Sequence, residues 1–266
     1  MNTLSGVVAT FYTFTLYLFF VNIVRSGSKF VSVSLFVGSF SYPTFVFSYF
    51  GRDGFIFWVL SFFSLYLIFS EFLDTNLKNK INRIFQFFVV FFLIVFLFIS
   101  FARFKNLDNV LNFMLIYLGQ QPYIFAEIFN FELTPRLGAS SFPLIFDFIG
   151  DNYNSDTYLN ELGSKVTLSW QFGTLLKEFY FDFGTIGNIV FLMLFFLLFS
   201  FFFVGKRANL NFFKLFLFFA YTQVIIQGVF YFRQYNDVGN LYLISLILLA
   251  LSYRFIPCRK IVLKCS

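Results

Sequence analysis

The chain contains no histidine. Mechanisms that turn on an imidazole are therefore excluded: a Ser-His-Asp triad, a histidine general base and a histidine-ligated metal. Charge is scarce as well. Only 12% of the 266 residues are Asp, Glu, Lys or Arg, about half the share of a soluble globular domain. A soluble globular enzyme is ruled out on that count. Disorder goes with it, because a chain this apolar would not stay solvated. The two cysteines, Cys258 and Cys265, sit in a basic tail without metal-ligand spacing. There is no Gly-rich phosphate loop and no cluster of metal-ligating residues, so no cofactor or metal is expected.

What is present is apolar. Hydrophobic residues make up 59% of the chain, and Phe alone supplies 51 positions. Mean hydropathy is +0.79. The Phe excess is read as filler, because helix faces toward lipid need only be apolar. Seven uncharged runs stand out: Leu4–Val24, Phe30–Phe50, Gly54–Ser70, Ile84–Phe101, Phe183–Gly205, Leu215–Phe232 and Val238–Tyr253. Most approach the ~20 residues needed to cross hydrocarbon. The pattern predicts an all-α polytopic membrane protein with about seven transmembrane helices. Phe30–Phe50, with five Ser and Pro43, is expected to lie among other helices rather than against lipid. The first run has no positive charge before it and no small-x-small cleavage site after it, so it is expected to be a retained span.

Charge sets the orientation. One set of loops holds Arg25, Lys29, Lys78, Lys80, Arg83, Lys206, Arg207, Lys214 and the four basic residues of the tail, against two acids, Glu71 and Asp74. The other set holds seven basic residues and eleven acids. The positive-inside rule puts the first set in the cytoplasm and the amino terminus outside. The net charge of +6 is thus a topology signal, and nucleic acid is not an expected partner. No charge lies inside a span, which gives an ion pathway little support.

The chain divides into residues 1–101 with four spans, an extracytoplasmic loop over 102–182, and residues 183–266 with three spans and the basic tail. Ala102–Asp182 holds nine of the thirteen acids. A loop this long is expected to be partly folded and functional. Leu107–Leu118 has apolar residues at helical spacing and is predicted to lie in the membrane interface. Gly119 and Pro122 should break it, with a second short helix over Tyr123–Phe131. Gly150–Trp170 is the most polar stretch. Helix should resume near Phe172 and run straight into the fifth span, with kinks at Gly184 and Gly187.

Four features are candidates for chemistry. Glu178 and Asp182 are four apart, so they share one helix face at the mouth of the fifth span. Such a pair can supply a general base; its plainer reading is a solvated helix end. Arg52, Arg103, Arg136 and Arg233 lie at outer edges of apolar stretches, where a guanidinium can grip a lipid diphosphate. Ordinary headgroup contact is the plainer reading. The Gly and Ser residues of Arg136–Pro143 would let backbone approach a ligand, or form a connecting turn. Tyr123, Tyr153, Tyr158 and Trp170 could stack on sugar rings, although aromatics are common throughout this chain.

Taken together, a late outer loop, then Trp170-Gln171-Phe172-Gly173-Thr174, then Glu178-Phe179-Tyr180-Phe181-Asp182-Phe183-Gly184-Thr185-Ile186-Gly187 and a long apolar helix resemble the bacterial O-antigen and capsule repeat-unit polymerases (Wzy type). So do Arg103 just outside a span, Tyr117-Leu118, and the Leu137-Gly138 to Phe142-Pro143 stretch. The resemblance covers about Phe101 to Tyr253. Arg103 and Gly119 also fit the Arg-x15-Gly spacing that some members carry. Members usually have more helices before the large loop, so this chain is expected to be a short or amino-terminally truncated one. The related ligases rely on an outer-loop histidine that is absent here.

The resemblance implies glycosyl transfer outside the inner membrane. A glycan on undecaprenyl diphosphate would move onto the sugar of the next lipid-linked repeat unit. It implies Glu178 or Asp182 as the base. Arg103, Arg136 and Arg233 would bind diphosphate, with Arg52 and Trp170 as further substrate contacts. Implied partners are undecaprenyl-diphosphate-linked glycans, the bilayer and a chain-length regulator. The rival readings are another polyprenyl-linked glycosyltransferase, a glycolipid flippase or transporter, and a non-catalytic scaffold. A flippase should carry charges within its helices and only small outer loops.

Overall fold

The computed structural model describes residues 9, 11–48, 51, 53–104, 107–130, 135–139, 141–149, 174–203, 212–230, 234 and 236–255. Among them every regular element is helical: α1 (Tyr12–Val24), α2 (Lys29–Gly38), α3 (Ser41–Phe47), α4 (Asp53–Phe69), α5 (Thr75–Phe104), α6 (Leu107–Phe129), α7 (Pro143–Ile149), α8 (Thr174–Phe203), α9 (Phe212–Gly228) and α10 (Asp237–Phe255). By length and composition alone, Lys29–Phe47, Asp53–Phe72, Thr75–Phe101 and Thr174–Leu197 each reach what a membrane crossing needs, the first and last counted across the breaks at Ser39 and Gly184. The chain is a helical membrane protein by that measure. It forms two compact units. One comprises Met1–Asn112, Arg207–Ala220 and Arg259–Ser266; the other comprises Phe113–Lys206 and Tyr221–Cys258.

The first unit is built on an aromatic seam. Tyr12, Leu16 and Phe20 of α1, and Trp58, Ser61, Phe62, Leu65 and Phe69 of α4, are buried at near-helical spacing. Phe20 packs on Phe62 and Phe69 with ring centres 5.2 and 5.7 Å apart. Phe therefore does two jobs. Phe20, Phe57, Phe62 and Phe69 fill the core, while Phe87 and Phe98 of α5 stand exposed.

The second apolar run differs from expectation. It is two helices, joined where Ser39 and Phe40 tighten the turn. Buried Ser39 accepts the indole N–H of Trp58 at 3.0 Å and donates to the Phe36 carbonyl at 2.6 Å. The first of these helices is not enclosed, since Phe30, Val31, Val33 and Val37 are exposed. One serine of this helix turns toward its neighbour in α1, where Ser32 takes the amide of Asn22 at 2.8 Å.

In the second unit α8 is not one rod. Gly184 has φ 64° and ψ −167°, a backbone region open essentially only to glycine. Residues twelve apart in a straight helix lie about 18 Å apart. Yet the rings of Phe179 and Phe191 are 3.8 Å apart, and the Asn188 amide donates to the Leu176 carbonyl at 3.1 Å. Thr174–Phe183 thus folds back on the rest of α8 as a hairpin, which corrects the expected straight entry into the span. Leu175 and Phe179 of the short arm pack with Val224 of α9, flanked by Phe142, Phe191, Phe195 and Leu243.

The expected break of α6 at Gly119 and Pro122 is also corrected, because the helix continues through both. Proline costs an interior helix about 3 kcal/mol, but packing overrides propensity. Beyond Pro122, Ile124 and Ile128 are fully buried. Phe125 and Phe129 pack on Tyr180, whose hydroxyl donates to the Phe129 carbonyl at 3.3 Å.

Candidate functional site

The hairpin creates the site. A helix that stops leaves its last carbonyls without partners. Just before Gly184 two such carbonyls are taken up by the turn at Arg136–Ala139. The Arg136 N–H donates to Phe181 O at 3.3 Å, and the Leu137 N–H donates to Asp182 O at 2.7 Å. To make this contact Leu137 and Gly138 adopt φ of 56° and 103°. A Cβ at position 138 would also meet Phe142, Phe146 and Phe183 at 3.4–3.5 Å. The turn closes when Ser141 N–H donates to Asp182 Oδ2 at 2.7 Å. Asp182 is fully buried. Pro143 then opens α7, where its fixed φ suits a first helical position.

Around this junction the charges gather on one ring. The Arg136 guanidinium carbon stands 5.4 Å from the centre of Phe181, and Lys177 Nζ stands 5.9 Å from it. Both are within cation–π range. Lys177 Nζ pairs with Glu178 Oε1 at 3.4 Å; the Lys177 side chain is 9% exposed and that of Glu178 18%. Two cations beside a partly exposed carboxylate can hold an anion and accept a proton.

Behind the turn lies a buried run of amides. Asn240 Nδ2 donates to Ser141 O at 3.0 Å and to Gln234 O at 2.6 Å. Gln234 Nε2 donates to Gln227 Oε1 at 3.0 Å. Gly239 permits this closeness, since a Cβ there would fall 2.4 Å from Gln234 Cα. Asn236 Oδ1 accepts the Gly239 N–H at 2.8 Å, which caps α10.

Of the residues singled out in the sequence, Arg136, Glu178 and Asp182 come together. Arg103 lies in the last turn of α5, and the described side chains do not include it. Tyr123 is exposed on α6. Arg52, Arg233, Trp170, Tyr153, Tyr158, Cys258 and Cys265 lie outside the described residues. Sequence reasoning gave no role to Lys177, Gln234 or Asn240, and reached Ser141 only as part of the Arg136–Pro143 stretch. A signal for Asn240 was present: it is an amide inside the last apolar run, where polar side chains are expensive. Among the described residues no group of three or more acidic, Cys or His side chains could hold a metal ion. No protein-family model, curated protein or solved structure matches the chain.

Proposed function

We propose that this protein is a repeat-unit polymerase of the Wzy type. It would join undecaprenyl-diphosphate-linked oligosaccharides into O-antigen or capsular polysaccharide at the outer face of the bacterial inner membrane. The observation that carries the proposal is that Arg136 and Lys177 both face Phe181 at the Gly184 hairpin, with Glu178 paired to Lys177. Glycosyl transfer from a lipid diphosphate needs cations for the leaving group and a base for the attacking hydroxyl, and this cluster offers both. In this mechanism Arg136 and Lys177 hold the diphosphate. Glu178 takes the proton of the acceptor hydroxyl. The hydroxyl oxygen bonds to the anomeric carbon as the carbon–oxygen bond to diphosphate breaks. The departing diphosphate keeps the electron pair, and no metal is required. The proposal includes seven spans, an extracytoplasmic site and a separate chain-length regulator.

The test is the surface glycan ladder of a strain lacking the gene. Wild type, Glu178→Gln and Arg136→Ala are restored in turn. Loss of the ladder to a single repeat unit, rescued by wild type alone, is the expected result. A ladder unchanged in the deletion strain would sink the proposal. Loss of even the single unit would point instead to a flippase.

A further inference from the structure

We infer that Asp182 and Asn240 are positioning residues: together they clamp Ser141 and so set the turn that carries Arg136, and neither touches substrate. The clamp stands on hydrogen bonds alone; what it serves rests on the polymerase reading. Ser141 is held from both sides of its own backbone. Its N–H goes to the Asp182 carboxylate and its carbonyl receives the Asn240 amide. The second hydrogen of that amide goes to Gln234 O, and Gln234 reaches Gln227. One chain of bonds therefore runs from the α8 hairpin through that turn to α10 and α9. Asp182 and Ser141 are 0% exposed, Asn240 1%, Gln227 3% and Gln234 4%, so water does not compete.

Two observations separate positioning from plain packing and from catalysis. First, Ser141 Oγ, Gln234 Oε1 and Asn240 Oδ1 have no hydrogen-bond partner among the described residues. A network with unmet oxygens is worse for stability than apolar side chains of the same shape. Its value lies in fixing geometry. Second, Asp182 commits one carboxylate oxygen to Ser141 N–H and its carbonyl to Leu137 N–H, and it is fully enclosed. Glu178, one turn earlier, is partly exposed. The acid that reaches substrate is Glu178, and Asp182 acts through the turn.

The experiment uses the full chain in lipid nanodiscs with three readouts. These are polymer formation from a lipid-linked repeat unit, binding of inorganic diphosphate, and hydrogen exchange at the Leu137 and Ser141 amides. Asp182→Asn keeps an oxygen for Ser141 N–H but removes the basic carboxylate. It should polymerise within about threefold of wild type, because a preserved geometry preserves the rate. Asp182→Ala and Asn240→Ala should speed exchange at the turn. They should also weaken diphosphate binding and turnover on the order of tenfold to a hundredfold, as a misplaced contact does. Ser141→Ala should be silent, since both clamp bonds use its backbone. Equal loss in Asp182→Asn and Asp182→Ala would make Asp182 the base and overturn the inference. Unchanged exchange in Asp182→Ala would also overturn it, as would faster exchange with unchanged diphosphate binding. A wild-type protein that makes no polymer would sink the polymerase reading, while the exchange and diphosphate results would still decide the clamp.

Discussion

A carboxylate can act as a base only where substrate reaches it, and the two acids of the hairpin differ in that respect. Glu178 keeps part of its side chain in the open beside Lys177, whereas Asp182 is sealed beneath the Arg136 turn. On the proposed mechanism Glu178→Gln should therefore abolish polymer formation, and it should also lower the thermal midpoint, because the nearly buried Lys177 loses its partner. Calorimetry or a fluorescence melt beside the activity assay checks both halves. In the first unit Ser39→Ala strands the indole N–H of Trp58. An unsatisfied buried donor costs about 1–3 kcal/mol, which denaturant titration in detergent can read. At this scale the spacing of Glu178 and Asp182 was legible in the sequence. Which of them is enclosed was not, because the answer depends on Ser141, forty-one positions away. Lys177 stands four residues before Phe181, so its approach to that ring follows from helical spacing; only the fold brings Arg136 to the same ring.

At the scale of elements, glycine and proline traded their expected effects. Pro122 was the stronger breaker on propensity, yet α6 runs through it because the following turns are anchored on Tyr180. Gly184 was expected to kink its helix, and it reverses it. Periodicity cannot distinguish these outcomes, since both arms of the hairpin keep a helical pattern. Two measurements follow. Gly184→Ala forces a side chain into the glycine-only region, at about 1–3 kcal/mol, and should lower both the melting temperature and activity. Phe179→Cys with Phe191→Cys should be joined by a short bifunctional maleimide, once Cys258 and Cys265 are replaced by serine. A straight α8 would hold those positions about 18 Å apart, and no crosslink would appear on a gel.

At the scale of the whole molecule, the apolar runs were legible as helices because only a helix satisfies the backbone of one long continuous apolar run from within, whereas barrel strands are short and alternate. The structure adds that one run is hinged at Ser39 and another is doubled back at Gly184. The charge balance of the loops predicts sidedness. A membrane-impermeant maleimide should label Ser155→Cys in intact spheroplasts, and Asn79→Cys only after lysis, with the native cysteines replaced. The reverse pattern would invert the topology and place the Arg136 cluster on the face opposite to the one the polymerase proposal requires.

One helix also carries a gauge. In α5, Arg83 and Arg103 bracket nineteen residues without a charge. Twenty helical steps measure about 30 Å, the depth of a typical hydrocarbon layer. Two charged collars at that separation tie the protein to one lipid chain length. Bilayers thinner than the gauge demand tilt, and thicker ones drag a collar inward, at a modest cost for each ångström. If the protein polymerises glycans as proposed, turnover in vesicles of graded acyl length should peak near that thickness and fall on both sides, so that the membrane's own dimension becomes a parameter of the reaction.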